Sequence, residues 1–266
     1  MHALRYYLRI YFRSVSQYVK ARMNYRVDFI ISTIGMLFTS AATILVFRVL
    51  FTSIPNLVGW SFDEIVFIYA FYLLSITPLQ LVFDHIWFLR YDLVDGSFIK
   101  YYLKPLNSMF YYMSERMDIK GFSQLGLGLA VLIYASIRLG LRWDLPHVVL
   151  LGAALLSSSL VAISILVMAA STAFWLMGGS FPVLSLALKI RDFAPYPTTI
   201  FDGIFRFLFT YLIPIGFVAF YPAQLFLVPS GPPILAYASP FIGIGFFGLA
   251  CWIWKKGVDN YAGTGS

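Results

Sequence analysis

The sequence predicts an all-α, polytopic membrane protein with six transmembrane helices and an N-terminal amphipathic interfacial helix. Hydrophobic residues make up 60% of the 266 residues. Charged residues make up only 12%, which is about half their share in a soluble protein. Long runs almost without charge alternate with clusters of Lys and Arg, and runs of about 20 apolar residues have the length that crosses a bilayer. The basic residues that give the chain a net charge of +7 lie beside these runs. We therefore assign it to anionic lipid headgroups and loop orientation, not to nucleic acid.

The N-terminal segment 1–26 predicts a cytoplasmic amphipathic elbow helix. Leu, Tyr and Val residues recur there at helical spacing, and the basic residues gather on the opposite face. An aromatic face opposite a basic one is typical of a helix lying in the membrane interface. A helix packed on a soluble domain is the alternative, but the sequence offers no such domain. The basic elbow residues are Arg5, Arg9, Arg13 and Lys20.

The rest of the chain predicts a single six-helix transmembrane domain at 27–256 and a C-terminal tail at 257–266. Each span is an apolar run bounded by charge, turn residues or both. The second span follows Ser61, which forms a capping-box pattern with Glu64. The predicted spans are 27–50, 65–83, 119–137, 148–176, 199–221 and 234–254.

Glycines in the third span and the length of two later runs refine this prediction. Gly121, Gly126 and Gly128 favour close approach of a neighbouring helix. After the break at 178–180, only the ten residues 181–190 remain on the far side, and ten helical residues cover about 15 Å. We therefore predict a short interfacial helix there. The fifth span is interrupted by Pro214, so we expect a break and a partly re-entrant segment.

Orientation follows from the positive-inside rule. Six basic residues precede the first span, five lie at 90–120, three at 189–206 and two at 255–256. Placing all of these segments inside makes both termini cytoplasmic. The other side then keeps only Arg48, Arg138 and Arg142.

The segment 84–118 carries the strongest local signal and is predicted to be a cytoplasmic coupling loop. A turn at 95–97 separates two short helical pieces, and Pro105 ends the second. Mixed charge with aromatic residues suits docking to a protein partner. A loop bound to lipid headgroups is the alternative. The candidate contact residues are Arg90, Tyr91, Asp92, Asp95, Gly96, Ser97, Lys100, Lys104 and Pro105.

Motifs for nucleotide binding, hydrolysis and metal binding are absent from the sequence. It contains no GxxxxGK[ST], HExxH or GxSxG pattern and a single Cys251. We therefore expect no catalytic residue, metal or cofactor in this chain, and any ATP chemistry must come from another chain. No acidic residue lies deep in a predicted span, which argues against a carrier coupled to protons or sodium.

Polar residues within the spans are sparse, and six residues are candidates for a substrate pathway. Ser and Thr in such helices usually bond to their own backbone, so helix packing is the alternative reading. The candidates are Thr33, Thr39, Thr43, Gln80, Phe217 and Gln224.

Two stretches carry a resemblance to a known family. The run DGSFIKYYLKP at 95–105 resembles an element of ABC-2 type permeases, in particular of a bacterial branch with chains of similar length. The similarity extends over nearly the whole chain. A second matching stretch contains 194–197, Ile200, Phe201, Arg206, Pro214, Phe217 and 221–223.

This resemblance implies the permease subunit of an ATP-driven exporter in the bacterial cytoplasmic (inner) membrane. Such a chain pairs with a second permease, the same or homologous, and with separate ABC ATPase subunits that bind ATP and Mg²⁺. It implies export of an amphipathic, drug-like, lipidic or glycan substrate from the cytoplasm or the inner leaflet. The expected pathway lies between the two permease subunits and is lined by spans one, two and five. The alternatives are an ATP-independent channel or secondary carrier and, further away, a membrane-embedded lipid-modifying enzyme. Activity of the chain alone would favour these.

Overall fold

The computed structural model describes residues 26–54, 56–176, 180–228 and 231–261, and over these residues the protein is all-α. Five of the helices are long and apolar enough to cross a membrane. The predicted elbow helix lies outside the described residues, as does the second half of the predicted tail, 262–266. The α-helices are α1 (Arg26–Ser53), α2 (Phe62–Phe83), α3 (Leu89–Val94), α4 (Ile99–Tyr102), α5 (Ser108–Met113), α6 (Lys120–Arg138), α7 (Leu145–Ser171), α8 (Ser180–Arg191), α9 (Gly203–Phe207), α10 (Phe220–Leu227) and α11 (Ile234–Asp259).

Two of the long helices begin at side-chain caps. The Ser61 Oγ accepts a hydrogen bond from the Glu64 amide at 3.4 Å, and the Glu64 Oε2 accepts one from the Ser61 amide at 2.8 Å. This is the capping box that the sequence predicts. At the start of α7, the Asp144 Oδ1 accepts from the His147 amide at 2.9 Å. Both caps satisfy amides that have no partner within the helix.

The helix bundle has two ends, which differ in the length of their connections. The short-turn end consists of the connections 54–61 and 139–144. The loop end consists of the segment 84–119, the residues around 172–176 and the C-terminal end of α11. All of the long helices run between these two ends.

α7 and α11 run parallel and pack closely along their length. A Cβ on Gly243 would lie 2.4 Å from the Ser157 Oγ, and one on Gly257 would lie 2.3 Å from the Phe174 ring. The Ser157 hydroxyl also donates to the Ser239 carbonyl at 2.5 Å. Small residues therefore set the distance between these two helices.

α2 and α6 are the second closely packed pair. A Cβ on Gly121 would lie 2.7 Å from the Leu81 side chain, and one on Gly128 would lie 2.8 Å from Leu74. The third glycine of the predicted set, Gly126, has open space around it. Two of the three predicted close approaches are therefore present.

α1 contacts the bundle at few points. Its Phe47 ring lies 5.9 Å from the Tyr69 ring, and the Thr33 and Ser123 hydroxyls are 3.2 Å apart. Most of its large apolar side chains are exposed. Since apolar surface of this extent must be covered, α1 requires lipid or another chain beside it.

The segment 180–199 passes from the loop end to the short-turn end, where the sequence predicts only a short interfacial helix. α8 begins at the loop end, and near its other end Arg191 lies beside Tyr72, halfway along α2. Beyond α8, the Trp60 Nε1 donates to the Thr199 Oγ1 at 3.1 Å in the short-turn end. The helical rise of ten residues predicts a path of only about 15 Å. The chain goes further, because it continues beyond α8 to 199 in turns.

The segment 203–228 is a hairpin, whereas the sequence predicts a fifth span at 199–221 that is interrupted by Pro214 and partly re-entrant. Its two arms are joined by the Thr210 and Tyr221 hydroxyls, which lie 2.7 Å apart. Pro214 interrupts the helix, because proline lacks the amide N–H that a continuing helix needs. The parts are α9, a π-helical turn at Leu208–Leu212, a break at 213–214, a 3₁₀ turn at Ile215–Phe217, and α10.

The arms of this hairpin open toward the short-turn end. The Phe226 ring on the second arm lies 5.6 Å from the Trp143 ring in the connection between α6 and α7. The tip of the hairpin lies deeper, where Pro214 lines a cavity of about 200 Å³ together with Ile165 and Phe246. The hairpin thus enters the bundle and returns to the same end.

These paths correct the predicted position of three basic residues. Lys189 and Arg191 lie on α8 near the middle of the bundle, and Arg206 lies on α9, after the chain has reached the short-turn end. The sequence predicts these three residues in a cytoplasmic segment, because it places the fifth crossing at 199–221 and not at 180–199. The clusters at 90–120 and 255–256 do share the loop end.

Candidate functional site

The segment 84–118 folds as a chain of short helices with a tight turn at its centre. The Asp95 Oδ1 accepts a hydrogen bond from the Ser97 amide at 2.8 Å, and the Phe98 amide donates to the Asp92 carbonyl at 2.8 Å. Gly96 has a φ of +80°, which favours a residue without a Cβ. The turn therefore lies where the sequence predicts it, between α3 and α4.

A network of hydrogen bonds surrounds the Asp92 carboxylate. Its Oδ2 accepts from the Tyr112 hydroxyl at 2.7 Å and lies 3.3 Å from the His85 Nε2. Its Oδ1 accepts from the Ser97 hydroxyl at 3.0 Å. His85 itself is 2% exposed. Because these partners come from separate pieces of the segment, the network holds the short helices together.

A second polar group continues from this network to the surface. The Tyr101 hydroxyl donates to Glu115, and the Lys100 Nζ donates to the Glu115 Oε1 at 2.7 Å. Burial opposes ionisation of Glu115, but the hydrogen bonds from Lys100 and Tyr101 outweigh it and lower its pKa. Burial, followed by the bond to Glu115, raises the pKa of Tyr101. Glu115 is thus a carboxylate, and Tyr101 a neutral donor, at neutral pH.

An aromatic cluster joins the segment to the ends of two long helices. Its members are Phe98, Tyr101, Tyr112, Phe174 and Trp254. The Phe98 ring lies 5.2 Å from Phe174, and Tyr112 lies 5.6 Å from Trp254. Phe174 and Trp254 are 5.4 Å apart. Since these rings are buried and in contact, displacement of the segment must move the ends of α7 and α11.

Apolar and aromatic side chains are exposed on this same segment. Leu103 is 72% exposed, and Tyr91, Val94 and Tyr102 are each at least half exposed. Lys104 is also exposed, and its Nζ contacts the Tyr111 hydroxyl at 2.6 Å. Exposed aromatic and basic residues on a braced scaffold are the composition of a protein-binding surface.

The predicted contact residues divide into an exposed group and an internal one. Asp92 and Ser97 lie within the hydrogen-bond network, and Gly96 forms the turn. Lys100 is held by Glu115, and the Arg90 guanidinium lies 5.8 Å from the centre of the Tyr91 ring. The exposed ones are Tyr91, Asp95, Lys100, Lys104 and Pro105.

Four residues of the network were missed by the sequence argument. They are separated by up to 30 positions, and no spacing rule links them. The missed residues are His85, Tyr101, Tyr112 and Glu115.

The predicted pathway residues are not brought together. Thr39 and Thr43 each bond to a carbonyl of their own helix, at 2.9 and 3.0 Å. Thr33 contacts α6, Gln80 lies near the loop end, and Phe217 and Gln224 are buried in the hairpin. Own-helix bonding of the threonines is the alternative that the sequence left open.

Comparison with known proteins gives one finding. A family model described as ABC-2 family transporter protein matches residues 37–265. Neither the curated proteins nor the solved structures contain a match to this chain. The matched range includes every described helix except the first part of α1.

Proposed function

The chain belongs to the ABC-2 family of transporter proteins, and from this premise we propose that it is the permease subunit of an ATP-driven exporter. ATP and Mg²⁺ are bound by separate ABC ATPase subunits, and this chain supplies the transmembrane path. The substrate is an amphipathic molecule that leaves the cytoplasm or the inner leaflet.

The observation that carries this proposal is the construction of the segment 84–118. Its outer surface has exposed Leu103 and Tyr102, while its inner side meets Phe174 and Trp254 through the aromatic cluster. A partner that binds the outside therefore contacts α7 and α11 through one rigid body. This is the arrangement that a docking loop for an ATPase requires.

Mechanical coupling follows from differential binding. An ATPase dimer that closes on ATP changes the position of its docking sites, and only a loop that resists deformation can pass this change on. The Asp92 network supplies that resistance, because Tyr112 and Ser97 bond the same carboxylate. The ends of α7 and α11 would move together with the loop.

Six crossings agree with this role. The five long helices and the segment 180–199 connect the two ends of the bundle six times, with the loop end in the cytoplasm, where the clusters at 90–120 and 255–256 lie. Both termini are then cytoplasmic. The hairpin 203–228 enters from the opposite side.

A second permease subunit covers the face that this chain leaves open. α1 has most of its apolar surface exposed, and two charged residues are exposed at the middle of the bundle, Lys189 on α8 and Asp192 directly after it. Charged side chains at that depth face water or protein rather than lipid. The path for the substrate then runs between the two permeases, beside α1, α2 and α8.

Co-purification with the ATPase encoded nearest to this chain tests the proposal. We expect Leu103→Asp to abolish binding of the ATPase, because a charge replaces an exposed apolar contact. Ile54→Asp places the same charge on an exposed residue of the short-turn end and should bind normally. Loss of binding in both variants, or in neither, would contradict the proposed docking loop.

A further inference from the structure

A guanidinium lies halfway along the bundle, at a depth where charge is costly. Arg191 lies beside Tyr72, which is midway along the 22 residues of α2. From the first turn of α2 this is about 15 Å, half of the hydrocarbon thickness. The Arg191 Nε is buried and has no hydrogen-bond partner. An ionisable residue at this depth with an unsatisfied donor indicates a functional site.

Two further charges flank this position, one on the exposed side of α8 and one directly after the helix. Ser180 and Ala187 form the buried side of the helix. Lys189 is exposed, as is Asp192, whose side chain is 69% exposed. The nearest approach of the Arg191 guanidinium to the Asp192 carboxylate is 3.9 Å.

The charges at this level do not balance. Lys189 and Arg191 are two cations, and Asp192 is a single anion. The acidic residues of α2, Asp63 and Glu64, lie in its first turn at the short-turn end. Among the described residues at this depth, one positive charge therefore remains without an acidic counterpart. A low-dielectric environment makes this excess attractive to an anion.

We propose that Lys189 and Arg191 bind an anionic group, a phosphate or a carboxylate, of the amphipathic molecule that the permease exports. This inference rests on the proposed function and specifies its substrate class. The planar guanidinium suits two-point bonding to either group, and Lys189 adds a mobile charge on the exposed side. The Asp192 carboxylate repels the bound anion and so limits its affinity, which allows the substrate to be released.

Cysteine reporters test whether this face contacts water and carries a positive potential. Replacing the single Cys251 by Ser leaves a cysteine-free chain. Leu186→Cys on α8 and Phe193→Cys just after it then place a thiol beside the site, at exposed positions. Leu129→Cys, exposed halfway along α6 on another side of the bundle, is the matched control.

We expect both reporters in native membranes to react with charged methanethiosulfonates, and the control not to react. After normalisation to a free thiol, the sulfonatoethyl reagent should react about tenfold faster than the trimethylammonium-ethyl reagent. Lys189→Gln and Arg191→Gln should each reduce this preference, and Lys189→Arg should keep it. Absence of reaction at both reporters, a disulfide between two copies, or an unchanged preference in the Gln variants would overturn the proposal.

Protection by a ligand identifies the bound group. Decyl phosphate should slow labelling of Phe193→Cys, and this protection should be lost in Lys189→Gln and Arg191→Gln. Protection by inorganic phosphate of the same strength would assign the site to a free anion; protection by decyl phosphate alone would assign it to an amphiphile. Equal protection by decanol would overturn the anion site.

The labelling experiment needs no ATPase, so the two proposals fail separately. If no ATPase co-purifies but decyl phosphate still protects, the exporter role fails and the anion site remains. If the ATPase binds through Leu103 and no protection occurs, the exporter role remains and the anion site is wrong.

Discussion

The Tyr112 hydroxyl donates a hydrogen bond of 2.7 Å to the Asp92 Oδ2, and so ties α5 to α3 across the proposed docking loop. Tyr112→Phe removes this donor and leaves the ring in place. We expect a loss of about 1.5–3 kcal/mol, because the bond is made to an ionised and half-buried group. Thermal unfolding of the purified chain in detergent measures it.

Tyr111→Phe is the control for that variant. The Tyr111 hydroxyl bonds to Lys104, which is exposed, so its removal should change stability by less than about 0.5 kcal/mol. If both variants unfold at the same temperature as the unaltered protein, the Asp92 network does not brace the loop.

Gly96→Ala should destabilise the turn between α3 and α4. A residue with a Cβ at a φ of +80° costs about 1–2 kcal/mol relative to glycine. We expect weaker ATPase binding as well as a lower unfolding temperature, because the turn carries the exposed part of the loop. Gly126→Ala, at an open position within α6, should leave ATPase binding unchanged and should not lower the unfolding temperature. If Gly96→Ala lowers the unfolding temperature but leaves ATPase binding unchanged, docking does not depend on the turn.

Gly257→Ala tests the contact between α11 and the aromatic cluster. Its Cβ would lie 2.3 Å from the Phe174 ring, and such overpacking costs about 1–3 kcal/mol. Gly245→Ala on the same helix meets no atom within 4 Å and should stabilise by about 0.5–1 kcal/mol. The expected signature is ATPase activity that persists while transport declines, measured in proteoliposomes. A parallel loss of both would indicate a folding defect alone.

The Glu115 carboxylate predicts a pH dependence of stability. Its pKa is lowered in the folded protein from 4.5, so its bonds to Lys100 and Tyr101 stabilise the fold above that pH. This contribution is lost as pH falls through the lowered pKa. Comparing unfolding of the unaltered protein with Glu115→Gln should give a difference at pH 7 that shrinks toward pH 3. A difference that is constant with pH would exclude this carboxylate as its origin.

The position of the segment 180–199 can be tested by labelling intact cells. In the Cys251→Ser background, Val58→Cys and Asp202→Cys should react with a membrane-impermeant maleimide, because both lie at or next to the short-turn end. Leu103→Cys at the loop end should react only after lysis. A protected Asp202→Cys would restore the path that the sequence predicts, with residues before 199 in the cytoplasm.

The long helices could be predicted from sequence because their signal is local. Charge-free runs bounded by Ser61 or Asp144 have the length of a bilayer crossing, and the caps at both positions are read from single residues. The turn at 95–97 is equally local, since it depends on Gly96 and its neighbours. Each of these signals needs no knowledge of distant contacts.

The remaining features depend on contacts between distant positions. The passage of 180–199 is fixed by Trp60 and Tyr72, neither of which its own composition reveals. The Asp92 network joins residues separated by as many as 20 positions in a loop. Amphipathic periodicity does not report contacts between such distant residues. The sequence could therefore indicate a docking loop without identifying the hydrogen bonds that make it rigid.

The hairpin 203–228 has a consequence for biosynthesis. Its apolar helical piece, Gly203–Leu212, is too short to be recognised as a spanning segment, and its broken backbone tolerates membrane depth only when protein surrounds it. The tip at Pro214 contacts the cavity that Phe246 of α11 completes. The ribosome makes α11 afterwards. Insertion therefore cannot follow chain order here: the hairpin must wait outside the bilayer core until the last helix has entered.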